Sequence, residues 1–182
     1  MVLTESTMPT LGTPAPDFAL PEPGTDRKWR LGNFRAEALV VVFTCNHCPY
    51  AQAVEDRIIA LARQLQDEVD FVAISANEIE GFPDDAPEKM AQRAHEKKYP
   101  FPYLYDESQA TARAYGAACT PDFFLYGPER QLAYRGRLDD NWQEPAKVQP
   151  QELRNAIAAV LTGEPVAEPQ MPAMGCNIKW RT

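Results

Sequence analysis

The run Ala38-Leu-Val-Val-Val-Phe43 limits the fold more than any other feature of the chain. Six consecutive apolar residues offer no polar face to water, so a strand made of them must be covered on both sides. A second run, Phe71-Val-Ala-Ile-Ser75, repeats the pattern. Between the two, Tyr50, Val54, Ile58, Leu61 and Leu65 recur at three or four residues, while Glu55, Asp56, Arg63, Gln64 and Asp67 fall outside that stripe. Pro49 suits a first helical turn. The spacing therefore predicts an amphipathic helix of about five turns, and strand, helix and strand in this order make a right-handed βαβ unit.

The remaining segments extend that unit. Asp17-Phe-Ala-Leu-Pro21 and Lys28-Trp-Arg-Leu31 flank the turn Pro23-Gly-Thr-Asp26 and read as a loose hairpin behind a proline-rich arm, residues 1–16. Asp84-Asp85-Ala-Pro87-Glu88 reads as cap, proline and early acid, opening a helix that runs to about residue 98. A short strand over 101–105 and a short helix over 108–115, stopped by Gly116, come next. Segments 121–126 and 131–138 flank Gly127-Pro-Glu-Arg130, a hairpin signal. Leu153, Ile157 and Leu161 mark a last helix over 150–161, ended by Gly163. The expectation is one three-layer α/β domain over 1–163, a mixed sheet with helices on both faces. Residues 164–182 carry three prolines and no period, so they form a tail, and Met174, Ile178 and Trp180 predict that it packs down on the domain.

A length of 182 residues suits one well-filled core. Eighteen basic against 26 acidic residues leave a net charge of −8, the wrong sign for a nucleic-acid or anionic-membrane partner. No apolar run approaches the roughly 18 residues that span a bilayer. Glu5 stands where a secretory leader carries lysines, so a cytoplasmic setting is expected.

Four cysteines, Cys45, Cys48, Cys119 and Cys176, are too few and too uneven for a disulfide-stapled scaffold. Cys45-Asn-His-Cys48 falls between the end of a buried strand and the start of a long helix. That places Cys45 at the carboxyl edge of the sheet. The helix N-terminus directs unpaired N–H groups and a positive dipole end at the sulfur, a setting that lowers a thiol pKa from about 8.5. Cys48, one turn inside, can close a small disulfide ring. His47, as imidazolium, would stabilise a neighbouring thiolate. Two other readings stay open: a pair of buried thiols, or a metal site from Cys45, Cys48 and His47 with Cys119. No second C-x-x-C or H-x₃-H supplies the usual spacing for the latter.

Phe43-Thr-Cys-Asn-His-Cys-Pro-Tyr50, Ala117-Ala-Cys-Thr-Pro-Asp-Phe-Phe124 and Met174-Gly-Cys-Asn-Ile-Lys-Trp180 together resemble the thioredoxin-like redoxins of the alkyl hydroperoxide reductase and thiol-specific antioxidant type. The resemblance implies a thioredoxin-like fold with an N-terminal hairpin extension and an extra strand–helix insertion. It implies a thiol–disulfide oxidoreductase in which Cys45 attacks a disulfide and Cys48 resolves the mixed disulfide, without a cofactor. Pro121 would be cis, and the backbone of Thr120 would pair with an extended substrate. The partners implied are a disulfide-containing protein or small thiol substrate and a thiol reductant that the sequence does not name. Cys119 and Cys176 are candidate additional redox thiols.

Two departures qualify the resemblance. Peroxiredoxins position peroxide with Pro-x-x-x-Thr/Ser-x-x-Cys. Counting back from Cys48 gives Cys45 and Val41 at the Thr/Ser and Pro places, and from Cys45 gives Val42 and Ala38. Fast peroxidase chemistry is therefore not expected, and a thiol peroxidase stands as the rival activity. A non-catalytic metal-binding or scaffold protein is the second rival. Residues 38–43 also hold no acid to accept a proton, which leaves Glu78, just past the second strand, as the candidate.

Overall fold

The structure, a computed structural model, describes residues 3–181. In chain order the elements are β1 (Leu3–Glu5), β2 (Ala19–Pro21), β3 (Lys28–Arg30), β4 (Ala38–Phe43), α1 (Pro49–Gln64), β5 (Val69–Ser75), α2 (Pro87–Lys97), β6 (Tyr103–Tyr105), α3 (Ala110–Tyr115), β7 (Cys119–Thr120), β8 (Asp122–Tyr126), β9 (Leu132–Gly136), α4 (Glu152–Thr162) and β10 (Met174–Asn177). A five-stranded sheet runs β6-β5-β4-β8-β9. Strands β4, β5 and β6 are parallel, while β8 and β9 return antiparallel beside β4.

Strand β4 lies at the centre, and all six of its residues are buried. Side chains alternate across a strand. Val40 and Val42 therefore meet Ile58 and Leu61 of α1 and Leu153 and Ile157 of α4 on one face. Leu39, Val41 and Phe43 meet Ala112 and Tyr115 of α3 with Phe18, Leu20 and Phe34 on the other. Burying each large apolar side chain contributes roughly 1.5–3 kcal/mol. This is why an all-apolar run settles in the middle of three layers. Among the described residues no helix is long and apolar enough to cross a membrane.

The ends of the chain depart from the expectation. The arm supplies β1 and the tail supplies β10, and these form a second sheet of order β1-β10-β7. Strand β10 is its middle strand, with Cys176 opposite Thr120 on one side and Leu3 on the other. Four residues that include a glycine carry no alternation to read, and this strand exists through its partners. Gly175 is required here, because a Cβ at this position would lie 2.0 Å from the Thr120 carbonyl oxygen.

The second departure concerns Asp84 and Asp85. They form a 3₁₀ turn with Pro83, and the N-cap of α2 is Ala86, with no capping side chain. Asp85 is turned inward instead.

Candidate active site

Strand β4 delivers the chain to the sheet's carboxyl edge, where Thr44 N–H still donates to the Ile74 carbonyl at 2.9 Å. The chain then turns through residues 45–48, and α1 starts at Pro49 with Cys48 as its N-cap. Asp85 holds this turn in shape. Its Oδ1 accepts the N–H groups of Asn46 at 2.7 Å and His47 at 3.2 Å, and its Oδ2 lies 2.6 Å from His47 Nδ1 and 2.7 Å from Asn77 Nδ2. Burial alone would raise this carboxyl. The hydrogen bonds from His47 and Asn77 and the His47 charge outweigh it, so the pKa falls below the ordinary carboxylate value.

Both sulfurs of the pair are enclosed thiols, Cys45 at 3% exposure and Cys48 at none. Thr120 spans them, with its Oγ1 3.4 Å from Cys45 Sγ and its carbonyl oxygen 3.1 Å from Cys48 Sγ, placed to accept a proton-bearing sulfur. The Thr120–Pro121 peptide is cis, as the resemblance implied.

The two thiols titrate as a unit. Cys48 is lowered to about 4, chiefly by its hydrogen bond from Cys45 and against the effect of burial, with Thr120, Cys176 and the Ala51 N–H adding to the fall. The proton left on Cys45 is held well above the usual thiol range. Its hydrogen bond to Cys48 acts first, then burial, then the Asp85 carboxylate. The helix N-terminus thus meets Cys48 directly, through Ala51.

His47 has a second partner beside the expected thiol. Its Nδ1 sits 2.6 Å from Asp85 and 3.8 Å from Cys45 Sγ, and its ring stacks on Phe82 at 4.9 Å. Glu78 is spent on the Gly81 N–H, so the acid beside the dithiol is Asp85. Cys45, His47 and Asp85 also bring three ligand-type atoms within 4.8 Å of one another. Two ligands of a tetrahedral ion with bonds of 2.0–2.1 Å stand about 3.3 Å apart. The 2.6 Å His47–Asp85 separation is that of a hydrogen bond.

The two remaining cysteines differ. Cys176 shares a buried cluster with Cys45, Cys48 and Ala51. Burial, followed by the hydrogen bond to Cys48, pushes it up to about 12. Cys119 is outside that cluster, touches the Pro121 carbonyl oxygen at 3.9 Å, and is kept protonated by burial and by Asp122. Asp122 itself is pushed up to about 8 by burial, against the N–H groups of Ala118, Cys119 and Phe123. Beside Pro121 opens a cavity of about 310 Å³ lined by Leu3, Tyr50, Val54, Trp142 and Met174. Leu3, Trp142 and Met174 are exposed apolar side chains.

The model of the AhpC/TSA family matches residues 11–135. The chain belongs to the AhpC/TSA family. No curated protein matches it significantly. Among solved structures it is similar to an uncharacterized conserved protein from Geobacillus kaustophilus, at 44% identity and a TM-score of 0.93 over 100% of this chain and 97% of that one. Its fold is thioredoxin-like. A putative thiol:disulfide interchange protein DsbE from Chlorobium tepidum superposes at a TM-score of 0.60 and 20% identity, over 84% of this chain and 98% of that one. Peroxidoxin BcpB from Mycobacterium tuberculosis gives 0.62 and 19%, over 84% and 96%. Family and fold together make the chain a redox protein of the thioredoxin type.

Proposed function

We propose that the chain is a thiol–disulfide oxidoreductase whose Cys45–Cys48 pair exchanges with a disulfide-containing protein or small-thiol disulfide. The observation that carries this reading is the contact of the two sulfurs with each other at the start of α1, opposite Thr120 and cis-Pro121. Attack is assigned to Cys45, the first cysteine of the pair, which lies beside the Thr120 hydroxyl next to cis-Pro121. At rest the charge sits on Cys48; as Cys45 attacks, its proton shifts along the hydrogen bond to Cys48, whose S–H then donates to the Thr120 carbonyl. The Cys45 thiolate then bonds to one substrate sulfur, and the other leaves as a thiolate. Cys48 next attacks Cys45 Sγ, closes the ring and releases the bound thiol. A thiol reductant, not identified, returns the pair to the dithiol, and a cytoplasmic setting, with its reducing thiol pool, is part of the same proposal. The cavity beside Pro121, lined by apolar side chains together with Arg137, Asp139 and Asp140, suits the flank of the substrate.

Cys45→Ser removes the attacking atom and should abolish reduction of insulin or glutathione disulfide. A variant that still reduced either would overturn the assignment. A peroxidase is the weaker reading, since Val41 and Ala38 are buried strand residues where a peroxide frame has proline. Reaction with hydrogen peroxide should stay far below the roughly 10⁷ M⁻¹s⁻¹ regime of well-evolved enzymes, and a rate constant in that regime would reverse the order of the two readings.

A further inference from the structure

We propose that Cys176 is a third redox thiol of this site and forms a disulfide with Cys48. The inference rests on the dithiol reading above and extends it to a residue on another element. Cys176 is 2% exposed and lies in the one small cluster that also contains Cys45, Cys48 and Ala51. Cys48 accepts hydrogen bonds from both Cys45 and Cys176, so either sulfur is within reach of it.

The strand that carries Cys176 is held on every side. Strand β1 pairs along one edge and β7 along the other. Ser6 and Ala173 exchange two hydrogen bonds at 2.9 Å. Ile178 N–H donates to the Ala118 carbonyl at 3.1 Å, and Lys179 N–H donates to Asn77 at 2.8 Å. The absence of a side chain at Gly175 lets β10 lie directly against the Thr120 carbonyl, the same carbonyl that Cys48 touches. Strand β10 thus holds its sulfur in fixed register with the dithiol. Cys119, on the neighbouring strand and equally buried, has no place in the cluster, so burial alone does not bring a thiol here.

The step balances without a further reagent. Once a substrate disulfide has closed the Cys45–Cys48 ring, Cys176 gives up its proton and its sulfur attacks Cys48 Sγ. The Cys48–Cys176 bond forms and the Cys45–Cys48 bond breaks. The electron pair of the broken bond leaves on Cys45, which takes the proton. No net oxidation occurs. The oxidising equivalent moves inward, and Cys45 becomes a thiol again, ready for a second disulfide.

The probe is excess glutathione disulfide, followed by acid quench, alkylation and tryptic mapping. Cys45 and Cys48 fall in peptide 36–57 and Cys176 in peptide 155–179. Wild type should consume two glutathione disulfides, release three glutathiones and end with peptides 36–57 and 155–179 cross-linked and one glutathione on Cys45. Cys176→Ser should end with the closed Cys45–Cys48 ring and no retained glutathione. Wild type that closes the ring while Cys176 remains alkylatable overturns this inference and leaves the dithiol reading intact. Wild type that forms neither ring nor cross-link overturns both. The wild-type map decides the matter even where the variant folds poorly.

Discussion

The two sulfurs of the dithiol face unlike halves of the molecule. Cys45 looks toward a polar knot of His47, Asp85 and Asn77, tied by bonds of 2.6–3.2 Å. Cys48 looks toward the first turn of α1 and the β10 strand, where the Ala51 N–H and the Cys176 thiol point at it. The carboxylate on one side and the donors on the other drive negative charge in one direction, from Cys45 to Cys48. One sulfur thus keeps its proton until a substrate arrives, and the other holds the charge. The difference is built by a turn at Asp85 and a strand at Cys176, far apart in sequence.

The change that breaks this division most severely is Cys48→Ser. It removes both the proton acceptor and the resolving thiol, so turnover should fall by roughly 10²–10⁴-fold and mixed disulfides should collect on Cys45. Intact mass after reaction with glutathione disulfide reads this directly. A Cys48→Ser protein that turned over normally would mean that Cys45 works alone.

Asp85→Ala attacks the polar side. It orphans the donors of Asn46, His47 and Asn77, and should cost about 3 kcal/mol of stability in urea melts. The pH dependence has a definite sign. The folded pKa of Asp85 lies below its unfolded value, so its contribution is present above the ordinary carboxylate range and is lost as pH falls through the folded pKa. Wild type should therefore weaken with acid more steeply than the variant, and parallel curves would show that Asp85 is not the tie that orders the loop.

Asp122, near the β10 side, carries the opposite sign. Its folded pKa of about 8 lies above the unfolded value, so its contribution is complete at low pH and drains away as pH rises from about 4 to 8. Asp122→Asn should gain on the order of 5 kcal/mol over wild type at pH 8, at roughly 1.4 kcal/mol for each unit between the two pKa values, and little at pH 4. A gain at pH 4 equal to that at pH 8 would contradict the buried neutral carboxyl. The smallest effect belongs to His47→Ala. Asp85 offsets the imidazolium charge, so the potential should move by about 10 mV or less against a glutathione series. A shift several times larger would show that the imidazole acts on Cys45 rather than on Asp85.

Much of the fold was legible because its signals are local. The limits of β4 coincide with the apolar run, and α1 starts at the proline that follows the second cysteine. Gly116 and Gly163 end their helices in the left-handed conformation that glycine tolerates. The dithiol and the Thr120–Pro121 pair were also visible as motifs. What escaped was set by tertiary contact. Asp85 sits before a proline-started helix and looks like a cap in sequence, but its partners lie 38 and 39 residues upstream. Strand β10 is invisible without β1 and β7. His47 has a helix dipole and a cysteine beside it in sequence, and only the fold adds the carboxylate that claims its Nδ1.

The most direct test of the dithiol is the order in which disulfides form. Fully reduced wild type mixed with glutathione disulfide, acid-quenched over a time series and mapped by peptide, should first lose two thiols together within peptide 36–57, as a Cys45–Cys48 ring preceded only by a transient glutathione adduct on Cys45. A first adduct on Cys48 or Cys119, or a Cys45 and Cys48 that remain separately alkylatable while other thiols oxidise, would contradict it.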